Sequence, residues 1–344
     1  MTWACTASFE DIAARIDAAQ TILCLTHARP DGDAMGSVLA LVRGLTAAGK
    51  DATGVLMGPV PAPLQQLVGD SPVRTIESAD ELGDVDVDLV IIADTGAWSQ
   101  VQPLEDWLRA RTDSIVVIDH HASGDEDLTA VRLVDAAAAS ATMLVLQLFE
   151  HMQLDLGRGD ESVAEALFAG LATDTGWFRQ ANADARAFNV AARLLNCDVD
   201  KNRLYRLIEE TARPQRLALQ ACLLASVEWI ASGRGALMRV TADDFTRTGG
   251  RRDELTGLVN EPLVVGGVEF SVLLVEDKPG IVKLSMRSKP PRSRGGSFVN
   301  VRDVAGHLGG GGHVHASGAR VEGDLAQARM RVLEALVKAG VMTS

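Results

Sequence analysis

VDLVIIADTG (87–96) and SIVVIDHH (114–121) are unbroken aliphatic runs that each stop abruptly at charged residues. A strand covered by helices on both faces has no polar side to show, so it reads as a continuous apolar run. TILCLTH (21–27) is a third such run, ending in His, residues 52–57 form a fourth, and VRLVD (131–135) adds another. Helical patterns lie between them: 9–20, Met35–Ala48 stopping at Gly49, Ala136–His151 and Ser162–Ala172. Strands alternating with helices predict an α/β domain with a doubly wound, mainly parallel sheet.

Beyond this region helices dominate to about Ser232, including Arg186–Leu195 and Gln215–Trp229. The pattern then changes. ALMRV (236–240), VEFSVLLVED (268–277) and IVKLSMRS (281–288) read as strands. Asn300–Leu308 reads as a helix, followed by GGGGHVHASGAR (309–320) and a final helix, Leu325–Ala339. The expectation is a first domain over 1–190, a helical linker over 191–232 and a smaller α+β domain over 233–344.

Composition narrows the function. With 344 residues, 47% hydrophobic and 23% charged, the chain has the make-up of a two-domain globular protein. A net charge of −13 disfavours a long duplex partner, because tracking many phosphates needs a basic surface. A short anionic substrate is compatible with it if positive charge is local or brought by metal. Cys5, Cys24, Cys197 and Cys222 are scattered, without paired spacing, which suits reduced structural thiols. No run approaches the ~18 apolar residues of a membrane span, and MTWACTASFEDIAARIDAA lacks the basic start of a signal peptide. These features predict a cytoplasmic protein.

Ligands of open α/β sheets bind outside the carboxyl ends of the strands. Here those ends carry His27, Asp31 and Asp33, then Asp94, then Asp119, His120 and His121, with Asp174 following the apolar helix. Each has a blander reading alone. Asp33 could cap the next helix, Asp94 and Asp174 could be turn residues, and paired histidines are usually just solvated. Their coincidence at one sheet edge is what favours chemistry. Four clustered carboxylates would repel or take up protons, whereas two divalent cations would neutralise them, with neutral imidazoles completing the coordination. Mixed carboxylate and imidazole donors suit Mn²⁺, Fe²⁺, Co²⁺ or Zn²⁺ better than Ca²⁺. A pair of such ions activates water near neutral pH and clamps a phosphoryl group.

HARPDGDAMGS (27–37), ADTG (93–96), DHH (119–121) and ATDTG (172–176) resemble, in order, the four motifs of the DHH phosphoesterases. GGGGHVHASG (309–318) resembles the glycine-rich signature of the DHH-associated C-terminal domain. The resemblance implies the nano-RNase branch, whose members cleave short oligonucleotides and linear dinucleotides and remove a phosphate from 3′-phosphoadenosine 5′-phosphate. It implies two divalent cations, Mn²⁺ first, with Mg²⁺, Co²⁺ or Fe²⁺ as alternatives. By motif position, His27 and Asp31 would bind one metal and Asp33, His120 and Asp174 the other, with Asp94 bridging. Asp119 would support the site from behind, and His121 would face the scissile phosphate or protonate the leaving oxygen.

For the second domain, KLSMRSKPPRSR (283–294) holds five basic residues and no acid. Arg287 is expected to fork a phosphate, and Gly310, Gly311, Gly312, His313 and His315 to line the nucleotide. His315 stands where the family pattern more often has Asn. Trp177 and Phe178 read as core rather than as a base platform. A homodimer is compatible with all this, though no motif specifies one. The alternatives are an inorganic pyrophosphatase, a RecJ-like single-strand exonuclease, and a nucleotide-sensing protein whose metals are only structural. The glycine signature disfavours the first and the acidic balance the second.

Overall fold

The computed structural model describes residues 3–83, 85–291 and 296–343. The chain divides into two compact units, Met1–Thr211 and Ala212–Ser344. The division falls inside the stretch expected as a linker. Helices Ala185–Leu195 and Lys201–Ile208 belong to the first unit, and helix Pro214–Ala225 to the second.

The first unit holds strands β1 (Thr21–Leu25), β2 (Asp51–Met57), β3 (Val73–Ile76), β4 (Leu89–Ala93), β5 (Ile115–Asp119) and β6 (Arg132–Val134). They form one parallel sheet in the order β3-β2-β1-β4-β5-β6. Every residue of β4 and β5 is buried, as their unbroken aliphatic composition requires. The sequence reversal at β1 and β4 creates a switch point, and both strands end there in the motif residues. Strand β3 has no counterpart among the sequence expectations, because VRTI is short and half polar.

Helices Gly32–Ala47 and Val163–Asp174 are apolar nearly all round and pack against each other beside the sheet. Their close approach is set by glycine. A Cβ at Gly32 would lie 2.2 Å from Thr173 Oγ1, and one at Gly36 would lie 2.5 Å from the Ala166 carbonyl oxygen. The first of these helices starts at Gly32, not Met35, because Asp31 caps it: its carboxylate accepts from the Asp33 and Ala34 N–H groups. Asp33 is therefore not the cap. The second helix runs through Asp174, which is its last residue and not a loop residue beyond it.

The second unit holds β7 (Glu228–Ile230), β8 (Gly235–Val240), β9 (Phe270–Lys278), β10 (Ile281–Ser288), β11 (Gly311–His313) and β12 (Ala316–Glu322). The sheet order is β11-β12-β10-β9-β8-β7, antiparallel except for the parallel pair β8 and β9. The helix expected over Gln215–Trp229 ends at Ala225, and Glu228–Ile230 turns into the edge strand. Helices Val301–Gly306 and Leu325–Lys338 bury their apolar sides on one sheet face. The glycine run is not a hinge. Gly311–His313 pairs with Ala316–Gly318 as a hairpin, and a Cβ on Gly310 would fall 2.2 Å from the Gly318 carbonyl oxygen. Among the described residues no helix is long and apolar enough to cross a membrane.

Candidate metal centre

Each side chain of the cluster is delivered by the end of a buried element. β1 leads to His27 and the Asp31 cap, β4 to Asp94, β5 to Asp119, His120 and His121, and the Val163 helix to Asp174. Asp94 has a left-handed backbone (φ 62°), an unusual conformation for a non-glycine residue, and its N–H donates to the Ile118 carbonyl at 2.9 Å. That bond ties the end of β4 to β5 and turns the carboxylate inward, where Asp94 is only 2% exposed.

The imidazoles converge on it. His27 Nε2 lies 3.6 Å from Asp94 Oδ2 and 3.9 Å from Asp31 Oδ1. His120 Nε2 lies 3.3 Å from Asp94 Oδ1, 3.7 Å from Asp33 Oδ2 and 3.9 Å from Asp174 Oδ2. Donor atoms of His27, Asp31 and Asp94 fall within 4.8 Å of one another, as do those of Asp33, His120 and Asp174, and those of Asp94, His120 and His121. Thus the structure brings together His27, Asp31, Asp33, Asp94, His120 and Asp174, with Asp94 between the two halves.

The second nitrogens fix which atom each ring presents. His27 Nδ1 donates to the Ala28 carbonyl at 3.1 Å and His120 Nδ1 to the Ala138 carbonyl at 3.3 Å. A carbonyl can only accept, so Nδ1 carries the hydrogen and Nε2 faces the carboxylates, the arrangement expected of metal-binding histidine. His121 behaves differently. Its Nδ1 donates to Asp119 Oδ1 at 2.8 Å, and its ring is half exposed. Asp119, fully buried, thus orients His121 and also accepts from its backbone N–H.

Electrostatics show how strongly these groups act on one another. Burial pushes the Asp94 carboxyl up, but the His120 and His27 imidazoles outweigh it and hold it below the usual range. Burial, reinforced by Asp94, drives Asp33 well above that range, and burial lifts Asp174 to about 6. Burial opposes charge on His27 and His120, yet the carboxylates, Asp94 foremost, raise both to about 9. Protons therefore occupy the cluster where cations would otherwise balance it. The buried Asp94 Oδ1 meets no hydrogen-bond donor other than the His120 ring 3.3 Å away, and a ring that binds metal through Nε2 has no proton to give it, so a cation must then balance this oxygen. The donor set fits two divalent ions.

Several supporting residues escape a reading of the sequence. Asp33 is held by the Ala141 N–H (2.6 Å), the Thr142 N–H (3.1 Å) and the Thr142 hydroxyl (2.8 Å), at the start of helix Ala141–His151. A Ser-Ala-Thr start before an apolar run is visible in the chain, but a partner 108 positions away is not. The Asn182 amide donates to the Asp174 carbonyl at 3.2 Å and reaches its Oδ2 at 3.5 Å. The Trp3 ring packs on Gly96 and Gly124, in the loops after Asp94 and His121, where a Cβ would lie 1.9 Å and 2.6 Å from it. Asn182→Ala is expected to raise the Mn²⁺ concentration for half-occupancy about tenfold, the scale of losing an outer-sphere partner. Titration calorimetry on the metal-free protein reads this directly, and unchanged affinity would remove Asn182 from the centre.

In the second unit, Arg287 lies on β10 and donates to the Met286 carbonyl at 2.9 Å. His313 is exposed in β11, while His315 Nδ1 bonds the Ser288 hydroxyl at 2.9 Å with its ring 4.8 Å from Phe298. Gly310–Gly312 run alongside β12. Of the basic stretch 283–294, Arg292 and Arg294 lie outside the described residues. Trp177 and Phe178 pack against the core of the first unit, with the Trp177 indole donating to Glu209.

Known proteins share both halves of this architecture. The bifunctional oligoribonuclease and PAP phosphatase NrnA of Thermus thermophilus is 32% identical over 325 residues, 92% of this chain and 89% of that one. The DHH family N-terminal domain matches residues 21–171 and the DHHA1 domain matches 237–339. The chain belongs to the DHH family. The crystal structure of another protein, an exopolyphosphatase-related protein from Bacteroides fragilis, superposes with a TM-score of 0.84 at 25% identity, covering 98% of this DHH chain and 97% of its own. RecJ of Thermus thermophilus in complex with Mn²⁺ shares the fold at a TM-score of 0.54 and 18% identity, covering 98% of this chain and 55% of RecJ.

Proposed function

We propose that this DHH protein hydrolyses phosphate esters of short oligonucleotides and of 3′-phosphoadenosine 5′-phosphate, using two divalent cations, Mn²⁺ first. The observation that carries this is the meeting of two histidine–carboxylate groups at a buried Asp94, with His27 Nε2 at one of its oxygens and His120 Nε2 at the other. Kinship over both domains with an enzyme named for both activities supports it.

In this reading His27 and Asp31 would hold one cation, Asp33, His120 and Asp174 the other, and Asp94 both. The bound ions would supply an activated water and charge neutralisation for the phosphoryl group. The chain does the rest. Asp119 keeps the His121 Nδ1 hydrogen engaged, so that Nε2 can offer a proton outward. As water adds to phosphorus and gives up a proton to solvent, the bond to the sugar oxygen breaks, that oxygen takes the proton from Nε2 of the His121 imidazolium, and a proton from solvent restores the ring. Arg287, Gly310, Gly311, Gly312, His313 and His315 would hold the nucleotide. We place the reaction in the cytosol, where the four free cysteines stay reduced, and homodimer formation is open to sedimentation analysis.

A product profile on di- to pentanucleotides, 3′-phosphoadenosine 5′-phosphate and pyrophosphate, with Mn²⁺ and after chelation, tests the proposal. Mononucleotides from the short chains and loss of activity on chelation are expected. Pyrophosphate as the sole substrate, or turnover that survives chelation, would overturn it.

A further inference from the structure

Trp3 is distant from the motifs in sequence and packed against them in space. The segment that carries it is fixed to β6, where the Thr6 and Ala7 N–H groups donate to the Arg132 carbonyl at 2.8 and 3.0 Å. The Thr6 hydroxyl donates to the Ala130 carbonyl at 2.8 Å and accepts from the Arg132 N–H at 2.9 Å. Arg132 is itself buried. Its Nε donates to the Ala4 carbonyl at 3.4 Å, and its guanidinium lies 5.2 Å from the centre of the Trp3 ring. These bonds hold the indole in place with only 9% of the residue exposed.

One ring touches two loops that start at residues of the centre. Gly96 follows Asp94, and Gly124 follows His121. The nearest atoms to a Cβ built on either glycine all belong to Trp3, led by Cζ2 at 1.9 Å for Gly96 and Cε2 at 2.6 Å for Gly124. Neither glycine is left-handed, so the indole, not the backbone conformation, leaves no room for a side chain. The loops also meet directly. The Asp125 N–H donates to the Gly96 carbonyl at 2.7 Å, and the Trp98 N–H to Asp125 Oδ2 at 2.8 Å. Trp3 shares an apolar cluster with Leu25, Ile92 and Trp98, and a tryptophan that only filled this core would stabilise the fold without touching the chemistry. What sets it apart is the bare backbone that both loops turn to it. Among the described residues its buried Nε1 has no hydrogen-bond partner, so shape rather than polarity seats the ring.

We propose that Trp3 is a positioning residue for the hydrolysis proposed above: its ring sets the spacing of the loops after Asp94 and His121, and so keeps both side chains where cation binding and proton transfer need them. This rests on the hydrolase reading. A displacement of about 1 Å at such groups costs about 100-fold in rate, so a rigid wedge against both loops has a large effect from outside the centre.

The test uses the full chain, well below the thermal midpoint of each variant. Trp3→Ala removes the ring and leaves every group of the centre present. Its Mn²⁺ affinity by calorimetry should fall about tenfold, the scale of losing an outer-sphere partner. At saturating Mn²⁺ its kcat should fall by about 10–100-fold, with KM for a dinucleotide little changed. Hydrogen–deuterium exchange of the metal-free protein should quicken over 94–98 and 121–128 and keep the parent rate in the second unit. Trp3→Phe should recover most of these losses, since the indole N–H has no partner to lose. Gly96→Ala should reproduce them, because its methyl meets the ring, and should add little to Trp3→Ala, where the obstacle is gone. If Trp3→Ala does not fold, Trp3→Leu carries the same comparison. A lowered midpoint with parental Mn²⁺ affinity, kcat and loop exchange would overturn the proposal, and so would additive losses in the double variant. If the parent chain hydrolyses no phosphate ester, the proposed function fails, while Mn²⁺ affinity and loop exchange still decide the role of Trp3.

Discussion

Replacing Asp94 by Asn is expected to lower kcat by more than about 10³-fold at saturating Mn²⁺, beyond the 10–100-fold typical of an outer-sphere partner. Among the described residues Asp94 is the one carboxylate whose two oxygens face different imidazoles, Oδ2 toward His27 and Oδ1 toward His120. Removing its charge weakens both halves of the centre together, whereas a change at Asp31 or Asp174 weakens one. Asn is the cleaner substitution because it tolerates the left-handed backbone at this position (φ 62°). Asp94→Ala adds roughly 1–2 kcal/mol of conformational strain and should also lower the thermal midpoint. Metal content after gel filtration and kcat across a Mn²⁺ titration measure the effect. Near-normal turnover in Asp94→Asn would sink the two-cation assignment.

The second large effect concerns protons. With His27 and His120 raised to about 9, both rings are protonated at pH 7 in the metal-free protein, and a cation must displace those protons to reach Nε2. Between about pH 6, where Asp174 titrates, and pH 9 the two rings should release about two protons per chain, with any proton held by the raised Asp33 adding to them, and apparent Mn²⁺ affinity should rise at least about 100-fold per pH unit. Calorimetry in two buffers of different ionisation enthalpy counts them, and no release would show that the histidines do not take up metal. The sign for stability follows from the same shift. A histidine raised above its ordinary value of 6.5 stabilises the fold below that pH, and the contribution is lost as pH rises towards 9. Metal-free protein should melt at lower temperature across that window, and Mn²⁺ should reverse the loss.

Much of the centre can be read in one dimension because buried parallel strands have a signature of their own. VIIADTG and VVIDHH show where apolar runs stop, and in this fold the stopping points share an edge. Side chains at the ends of β1, β4 and β5 and of the Val163 helix do meet in space. The helix boundaries are less legible, since Asp31 and Asp33 both look like caps. Their roles separate only because Asp33 finds N–H donors at Ala141 and Thr142.

What the sequence determined by itself is the alternation of buried strands and helices, the ordering of the motifs, and the residue types able to hold cations. Local pattern is enough for these, because burial on both faces and capping depend on near neighbours along the chain. Tertiary structure alone decided which histidine nitrogen faces inward, which of the two neighbouring histidines Asp119 serves, and that Asn182 reaches Asp174. It also turned the glycine run into a paired strand and brought Arg252 and Arg320 to Asp277. Those outcomes depend on distances between residues far apart in the chain, and only folding sets such distances.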